Sequence, residues 1–268
     1  GFIIETSAQA IIEGERAVPA EAKNGIVVTS HYLATTEALQ VLKKGGNAVD
    51  AAVTAAFALA VTQPRSGNIG GGGFLVYHGD DGHATTFDFR EKAPLAATQE
   101  MYLGLDGQVI DNSNHIGPLA VGVPGTVAGL WKAHQELGSL PWEDLVAPAI
   151  ALARDGIPMS YSLYSGFNNS MRRFNQYPSS KAKFSRPDGT GLELGDTWYQ
   201  PDLAHTLELI QTEGHDGFYK GENAERLAGF MADIGGIITE EDLAIYEAIE
   251  REPVRGTYRG YEIVSMPL

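Results

Sequence analysis

One arginine in this chain has a type and position well suited to ligand binding. In the segment "TTFDFREKAP", the alternation of a β-strand places Asp88 and Arg90 on one face. The opposite face carries Phe87 and Phe89. A guanidinium at a strand end can hold a carboxylate through two parallel hydrogen bonds. On the pattern alone, a surface ion pair of Arg90 with Asp88 or Glu91 is the favoured interpretation, and carboxylate binding is the alternative.

A run of four glycines, in "NIGGGGF" at 68–74, raises the question of phosphate binding. A phosphate loop requires the order strand, glycines, helix, so that free N–H groups of the helix face the phosphate. Here an apolar helical segment precedes the run and the short strand-like "FLVYH" follows it. The order therefore favours a segment where helix and strand approach closely, or where backbone N–H groups line a pocket.

No self-contained catalytic set is readable from the sequence. The seven histidines show no metal-binding spacing, so no metal site is expected. Cysteine is absent, which excludes a thiolate nucleophile and a disulfide framework. A Gly-x-Ser-x-Gly elbow is also missing, and no pair of carboxylates stands out as acid and base.

The charge balance excludes one class of partner. The chain has 34 acidic and 19 basic residues, a formal net charge of −15, and its densest basic groups are the pairs Lys43–Lys44 and Arg172–Arg173. Both pairs are interpreted as solvated surface, and no nucleic-acid partner is expected. No apolar run reaches the roughly 18–20 residues of a membrane span, so none is expected.

Periodicity and capping signals predict a mixed α/β chain. A buried helix is predicted over 47–61, with Asn47 as N-cap and Asp50 three positions later. A tight hairpin is predicted for "FLVYH" and "ATTFDFR" around "GDDG". A strand is predicted at 25–30, and a helix is predicted to start near Thr35 or Thr36.

The second half of the chain is predicted to be mostly helical. A long exposed loop is expected over 174–196 because the segment is polar and rich in turn residues. Thr239 and Asp242 have capping-box spacing, and a final hairpin is predicted to turn at Arg259–Gly260. Five further helical segments are predicted at 123–138, 141–156, 201–214, 222–236 and 239–247. Together these elements predict one layered α/β domain over 1–268, with 1–23 as an N-terminal extension.

Several segments then identify a family resemblance. "GGNAVDAAV", "NIGGGGF", "DFREKAP", "GVPGTVAG", "ARDG", "FYKG", "GGIITEEDLAIYE" and "YRGYEIVSMP" occur in the order of similar segments in the γ-glutamyltranspeptidase family. The resemblance runs from about residue 24 to the end. It implies an N-terminal nucleophile hydrolase fold, an αββα sandwich, of which this chain resembles the N-terminal part of the large subunit.

The resemblance implies that the chemistry is completed by a second polypeptide. In the family, a self-cleaving precursor releases a small subunit whose first residue, a threonine, is the nucleophile. The pairs Thr35–Thr36 and Thr85–Thr86 lack the histidine that follows the family's threonines and lie in other segments. No catalytic residue is therefore expected in this chain. Arg90 matches the family's arginine that binds the α-carboxylate of the γ-glutamyl group, and the glycine run matches a structural segment beside the site.

The expected activity is cleavage of γ-glutamyl amides such as glutathione, followed by hydrolysis or transfer to an amino acid or peptide. Alternatives are poly-γ-glutamate hydrolysis, cephalosporin acylation chemistry, or a non-catalytic binding module for amino acids or anions. No cofactor is expected, and the implied location is periplasmic or secreted. Relatives continue where this chain ends at Leu268, so we expect a longer polypeptide and instability of this part alone.

Overall fold

The computed structural model describes residues 21–186 and 188–267, so most of the predicted extension, 1–20, lies outside the described residues. The helices in that part of the chain are α1 (Tyr32–Lys43), α2 (Ala48–Thr62), α3 (Thr126–Leu137), α4 (Trp142–Asp155), α5 (Tyr161–Phe174), α6 (Pro178–Lys183), α7 (Pro201–Glu213), α8 (Asp216–Tyr219), α9 (Gly221–Asp233) and α10 (Glu240–Ala244). The strands are β1 (Phe74–His78), β2 (Ala84–Asp88), β3 (Ile157–Pro158), β4 (Thr197–Trp198), β5 (Ile249–Arg251), β6 (Val254–Tyr258) and β7 (Tyr261–Ser265). A short 3₁₀ turn spans Pro118–Ala120.

Helix α2 is the predicted buried helix. The Asn47 side chain accepts hydrogen bonds from the N–H groups of Val49 and Asp50, at 2.9 and 3.0 Å. The Asp50 carboxylate accepts the N–H of Asn47 at 2.8 Å and completes the predicted capping box. Most of the helix is buried, and it packs against α1, α3 and α4. The prediction of a core helix is confirmed.

The fully buried Asp50 also fastens α2 to the turn between α3 and α4. Its Oδ1 accepts the N–H groups of Ser139 and Leu140 at 2.9 and 3.4 Å, and its Oδ2 accepts the Ser139 hydroxyl. Burial opposes ionisation of Asp50, but the hydrogen bonds from Ser139 and from two further backbone N–H groups lower its pKa. The carboxylate is therefore held ionised inside the protein.

The main sheet has the antiparallel order β1-β2-β5. The predicted hairpin is confirmed as β1 and β2, with Phe74 opposite Asp88 and His78 opposite Ala84. The central strand β2 obtains its second neighbour from the far end of the chain, where Thr86 lies opposite Arg251. The hydroxyl of Thr86 donates to the carbonyl oxygen of Arg251 at 2.8 Å. Residues 84–87 of β2 are buried, so the strand lies inside the protein.

Aromatic side chains fill the core between the helices. Trp142 contacts Phe57 of α2 edge to face, with ring centroids 5.5 Å apart, and Trp131 of α3 at 4.9 Å. Its indole N–H donates to the carbonyl oxygen of Ile210 at 2.9 Å, which satisfies its polar atom and ties α4 to α7. The helical predictions for these segments are confirmed, with Pro141 at the N-cap of α4 and not inside its first turn.

Two predictions near the start of the described chain are wrong. Residues 25–30 pair with no other described strand, and Ile26 and Val28 are 56% and 83% exposed. A strand needs a neighbour for its backbone groups, and apolar residues alone did not supply one. Helix α1 begins at Tyr32, before Thr35, because the side chain of His31 accepts the N–H of Leu33 and caps the helix.

The prediction of a long exposed loop at 174–196 is wrong in part: most of the segment is exposed, but it contains α6 and part of an aromatic cluster. Phe174 and Phe184 stack with centroids 4.3 Å apart, and both contact Phe167. Arg186 holds Asp196 through two hydrogen bonds of 2.8 Å. These contacts order a segment whose polar composition predicted an exposed loop.

The last hairpin, β6–β7, turns where predicted. Arg259 and Gly260 both have positive φ, 52° and 84°. Two consecutive residues with positive φ are typical of the two-residue turns that match strand twist. The hairpin is largely exposed, and Tyr261 is 77% exposed.

Candidate functional site

Arg90 follows directly after the last backbone pair of the central strand. Phe89 and Gly73 exchange two backbone hydrogen bonds, of 3.1 and 3.2 Å, which continue the β1–β2 ladder past Asp88. Phe87 and Phe89 are 0% and 7% exposed, whereas Arg90 is exposed. The predicted alternation is confirmed, and a buried strand presents Arg90 at its end.

The surface ion pair predicted for Arg90 is wrong. The carboxylate of Asp88 binds the guanidinium of Arg251 at 2.8 Å and accepts the backbone N–H of Arg90 at 3.1 Å. Among the described residues, no carboxylate, including that of Glu91, lies within 4.0 Å of the Arg90 guanidinium nitrogens. Burial opposes ionisation of Asp88, but hydrogen bonds from Arg90 and Arg251 outweigh it and lower the pKa of the carboxyl. The charge of Arg90 thus has no internal partner in this part of the chain.

The glycine run permits backbone contact beside Arg90. A Cβ atom placed on Gly72 would lie 2.5 Å from the carbonyl oxygen of Phe89, and one on Gly73 would lie 2.9 Å from the Phe89 ring. Real Cβ atoms do not approach so closely, so these positions require glycine. The N–H of Gly73 is already used in the ladder. The interpretation as a close-approach segment is confirmed, and the segment does not have the form of a phosphate loop.

A second group of glycines, in "GVPGTVAG" at 122–129, closes around the same phenylalanine. The N–H groups of Gly125 and Thr126 donate to the carbonyl oxygen of Gly71 at 2.8 and 3.1 Å. A Cβ atom on Gly129 would lie 2.0 Å from Cγ of Phe89, and one on Gly125 would lie 2.1 Å from its carbonyl oxygen. Sequence reasoning missed this packing. The available signal was the four-residue spacing of Gly125 and Gly129, which places both on one helix face.

Two stacked tyrosines also hold the backbone of Arg90. The Tyr246 hydroxyl donates to the carbonyl oxygen of Arg90 at 2.7 Å. Its ring stacks on Tyr219, with centroids 5.6 Å apart and planes 9° from parallel. Tyr219 in turn donates to the carbonyl oxygen of Pro124 at 2.9 Å. Burial raises the pKa of both phenols above their ordinary value, so both remain protonated donors.

Lys92 makes a further contact with Tyr246. Its ammonium lies 4.7 Å above the centre of the Tyr246 ring and donates to the carbonyl oxygen of Glu247 at 2.8 Å. The backbone of Lys92 also exchanges two hydrogen bonds with Val123. Sequence reasoning did not find Tyr246, because it lies 156 positions from Arg90 and no local pattern links the two.

Three of the four threonines considered above make structural hydrogen bonds. The hydroxyl of Thr85 donates to Glu250 at 2.6 Å, and Thr86 bonds to the backbone of β5. The Thr35 hydroxyl lies 2.8 Å from that of Thr29.

None of the described helices combines the length and apolarity needed to cross a bilayer. Over 21–186 and 188–267, no group of three potential His, Asp or Glu metal ligands converges.

Comparison with known proteins gives consistent matches. The family described as Gamma-glutamyltranspeptidase matches residues 34–268. The "Glutathione hydrolase proenzyme" of Pseudomonas sp. (strain A14) is 46% identical over 249 residues, which cover 93% of this chain and 43% of that protein. The "Acylase ACY 1 proenzyme" of Pseudomonas sp. (strain SE83) is 38% identical over 93% of this chain and 46% of that protein. The chain thus spans less than half the length of these relatives.

A solved structure shares the fold. The crystal structure of Helicobacter pylori γ-glutamyltranspeptidase superposes with a TM-score of 0.91 at 45% identity, over 93% of this chain and 72% of that one. The predicted α/β class and the family resemblance are both confirmed.

Proposed function

Because the chain belongs to the γ-glutamyltranspeptidase family, we propose that it is the N-terminal part of the large subunit of a γ-glutamyltranspeptidase. The enzyme would cleave γ-glutamyl amides such as glutathione and pass the γ-glutamyl group to water, an amino acid or a peptide. The observation that carries the proposal is the position of Arg90, an exposed guanidinium without an internal carboxylate partner, at the end of a rigidly held strand.

The role of this chain in the reaction would be to bind and orient the substrate. A guanidinium offers two parallel N–H groups to an α-carboxylate, which fixes the position and rotation of the γ-glutamyl group. The close packing around Phe89 and the hydrogen bond from Tyr246 limit movement of the Arg90 backbone. Such positioning lowers the barrier because the scissile amide is held in line with its nucleophile.

The nucleophile would come from the small subunit of the same precursor. A threonine hydroxyl is a weak nucleophile at neutral pH, and the free α-amino group created by chain cleavage can act as its base. Attack on the γ-glutamyl amide would form a tetrahedral intermediate and then a γ-glutamyl ester, with release of the amine. Water would hydrolyse that ester, and an acceptor amine would complete transfer.

A small-subunit partner is supported by the names of two relatives and by an exposed surface of this chain. Both curated relatives described above are proenzymes. Strand β1 forms an outer edge of the sheet and exposes Phe74 and Val76 at 49% and 45%. Apolar residues on an unpaired sheet edge favour contact with another polypeptide.

We further propose that the chain forms one domain over 1–268, including the 1–23 extension, and that the enzyme is periplasmic or secreted, as the resemblance implies.

Acylase activity is the second candidate, supported by the relative named an acylase. The first candidate is favoured because a free guanidinium suits a substrate that carries an α-carboxylate. Assays on the full-length protein with γ-glutamyl-p-nitroanilide and with a cephalosporin side-chain amide would separate the two.

The proposal is tested by N-terminal sequencing of the purified full-length protein, together with release of p-nitroaniline from γ-glutamyl-p-nitroanilide. We expect two N-termini, the second a threonine, and release that depends on Arg90. A single N-terminus with no release would overturn the proposal and favour a binding module.

A further inference from the structure

A cavity of about 570 Å³ lies between the end of α2, helix α5 and the residue after α6, and three arginines line it. They are Arg65, Arg172 and Arg173. No Asp or Glu lines the cavity, although the whole chain carries a net charge of −15. Cations that converge in an acidic protein create a local site for an anion.

The three guanidiniums are not committed to other residues. None of them forms an ion pair within the described part of the chain, where twelve ion pairs occur elsewhere. Helix ends favour basic residues, which explains Arg172 and Arg173 in the last turn of α5. Arg65 lies just past the end of α2, so its cation also follows a helix end. Arg172 and Arg173 are exposed, as the sequence interpretation predicted, and the structure adds that they share one cavity with Arg65.

The rest of the cavity wall suits a peptide. Asn169 and Ser170 supply neutral polar groups, and Phe167, Phe174 and Phe184 supply an apolar wall. The three rings contact one another with centroids 4.3–6.1 Å apart, so the wall is packed in advance of binding. The volume falls within the range of about 300–1,000 Å³ that is usual for small-molecule sites.

A second cavity lies between this one and the glycine run. It shares Pro64 and Phe184 with the first cavity and is also lined by residues 68–70. Its one carboxylate, that of Asp202, is paired with Lys183. The next glycine, Gly71, lies against Glu91: a Cβ atom on it would be 3.4 Å from the Glu91 carboxylate. We call these two neighbouring cavities the arginine groove. Its inner end therefore lies beside the segment that carries Arg90.

We propose that the arginine groove binds the carboxylates of a short acidic peptide, the remainder of a substrate or an acceptor whose reacting end lies near Arg90. The link to Arg90 rests on the proposed function, whereas the affinity of the groove for acidic peptides does not. Each guanidinium can bind a carboxylate through two N–H groups, and the phenylalanine wall can cover the intervening chain.

A binding titration tests the groove by itself. Tetra-L-glutamate, which has no γ-glutamyl linkage, is titrated calorimetrically into the full-length protein, with tetra-L-glutamine as the neutral peptide. We expect the Arg172→Gln/Arg173→Gln variant to bind tetra-L-glutamate about tenfold more weakly. The matched control is Lys43→Gln/Lys44→Gln, which removes two adjacent cations from the end of α1 without touching the groove. Equal weakening by the control, no change in the arginine variant, or no binding to the parent protein would each overturn the proposal.

Kinetics then test the link to Arg90. The ratio of kcat/KM for γ-glutamyl-glutamyl-glutamate to kcat/KM for γ-glutamyl-p-nitroanilide should fall about tenfold in the arginine variant and stay unchanged in the lysine control. An unchanged ratio in the arginine variant would overturn the link. If the parent protein cleaves neither compound, the proposed function fails, while the titration still decides whether the groove binds acidic peptides.

Discussion

Tyr246 donates a hydrogen bond of 2.7 Å to the backbone carbonyl oxygen of Arg90, across 156 positions of sequence. The bond lies on the main chain of Arg90 and leaves its guanidinium free for a ligand. Tyr246 is therefore a positioning residue: it fixes where the side chain of Arg90 starts, and does not itself touch a substrate in the proposed reaction.

Replacement of Tyr246 by Phe should raise KM for γ-glutamyl-p-nitroanilide more than it lowers kcat. The ring still stacks on Tyr219, but the carbonyl oxygen of Arg90 loses its donor, at a cost of about 1 kcal/mol. Steady-state kinetics of the processed enzyme measure this. The matched control is Tyr258→Phe in the exposed hairpin, and equal effects of the two variants would contradict the positioning role.

Arg90→Lys should behave as a severe change. A lysine keeps the charge but cannot reproduce the planar pair of N–H groups that a carboxylate accepts. We expect kcat/KM for γ-glutamyl-p-nitroanilide to fall strongly in Arg90→Lys, and Arg90→Ala to lose about 2–5 kcal/mol of substrate interaction. Arg255→Lys in the last hairpin is the control. A kcat/KM for Arg90→Ala within about threefold of the parent would refute the substrate-binding role.

Gly129→Ala should destabilise the protein, although alanine favours helices. The added Cβ would lie 2.0 Å from the ring of Phe89, so the core must shift at a cost of about 1–3 kcal/mol. The control is Gly229→Ala in α9, where no atom lies within 4 Å of the added Cβ. That variant should gain about 0.5–1 kcal/mol from helix propensity. Thermal unfolding of the full-length parent and both variants measures the two effects. Equal changes in Tm for Gly129→Ala and Gly229→Ala would disprove the packing argument.

Asp50→Asn should destabilise the protein by about 1–3 kcal/mol at pH 7. The substitution replaces one carboxylate oxygen by an amide nitrogen, which cannot accept the hydrogen bonds that this oxygen now accepts. The folded pKa of Asp50 lies below the ordinary 3.8, so its contribution is present above that value and is lost as pH falls through the folded pKa. The difference in unfolding free energy between the parent and the Asp50→Asn variant should therefore narrow below pH 3.8.

Urea unfolding of the parent and the Asp50→Asn variant, from pH 7 to below pH 3.8, measures this difference in unfolding free energy. Asp144→Asn, on the exposed first turn of α4, serves as the control. A difference in unfolding free energy that stays constant as pH falls would show that the charge of Asp50 does not contribute to stability.

Local features were predictable from the sequence. The β1–β2 hairpin, the capped helix α2 and the alternation that exposes Arg90 each depend on residues close in the chain. The strand predicted at 25–30 failed because strand formation depends on a neighbour that local sequence does not specify.

Long-range features were not predictable from one sequence. The loop predicted at 174–196 is ordered by Phe167 and by Trp198, which lie outside that segment. The hydrogen bond from Tyr246 and the ion pair of Asp88 with Arg251 join residues more than 150 positions apart. Arg90 could be identified as a candidate, but the groups that hold it could not.

The pairing of β2 with β5 also sets an order of events during biosynthesis. Thr86 and Arg251 are separated by 165 positions, so at about 5–20 residues per second the central strand waits on the order of 10–30 s for its second neighbour. Helices α1–α4 and the first hairpin can form meanwhile from nearby residues. A nascent chain that stops before Tyr246 would retain those elements, yet the carbonyl oxygen of Arg90 would still lack its donor. Arg90 therefore reaches its final position only after the ribosome has added the segment near the end of this chain.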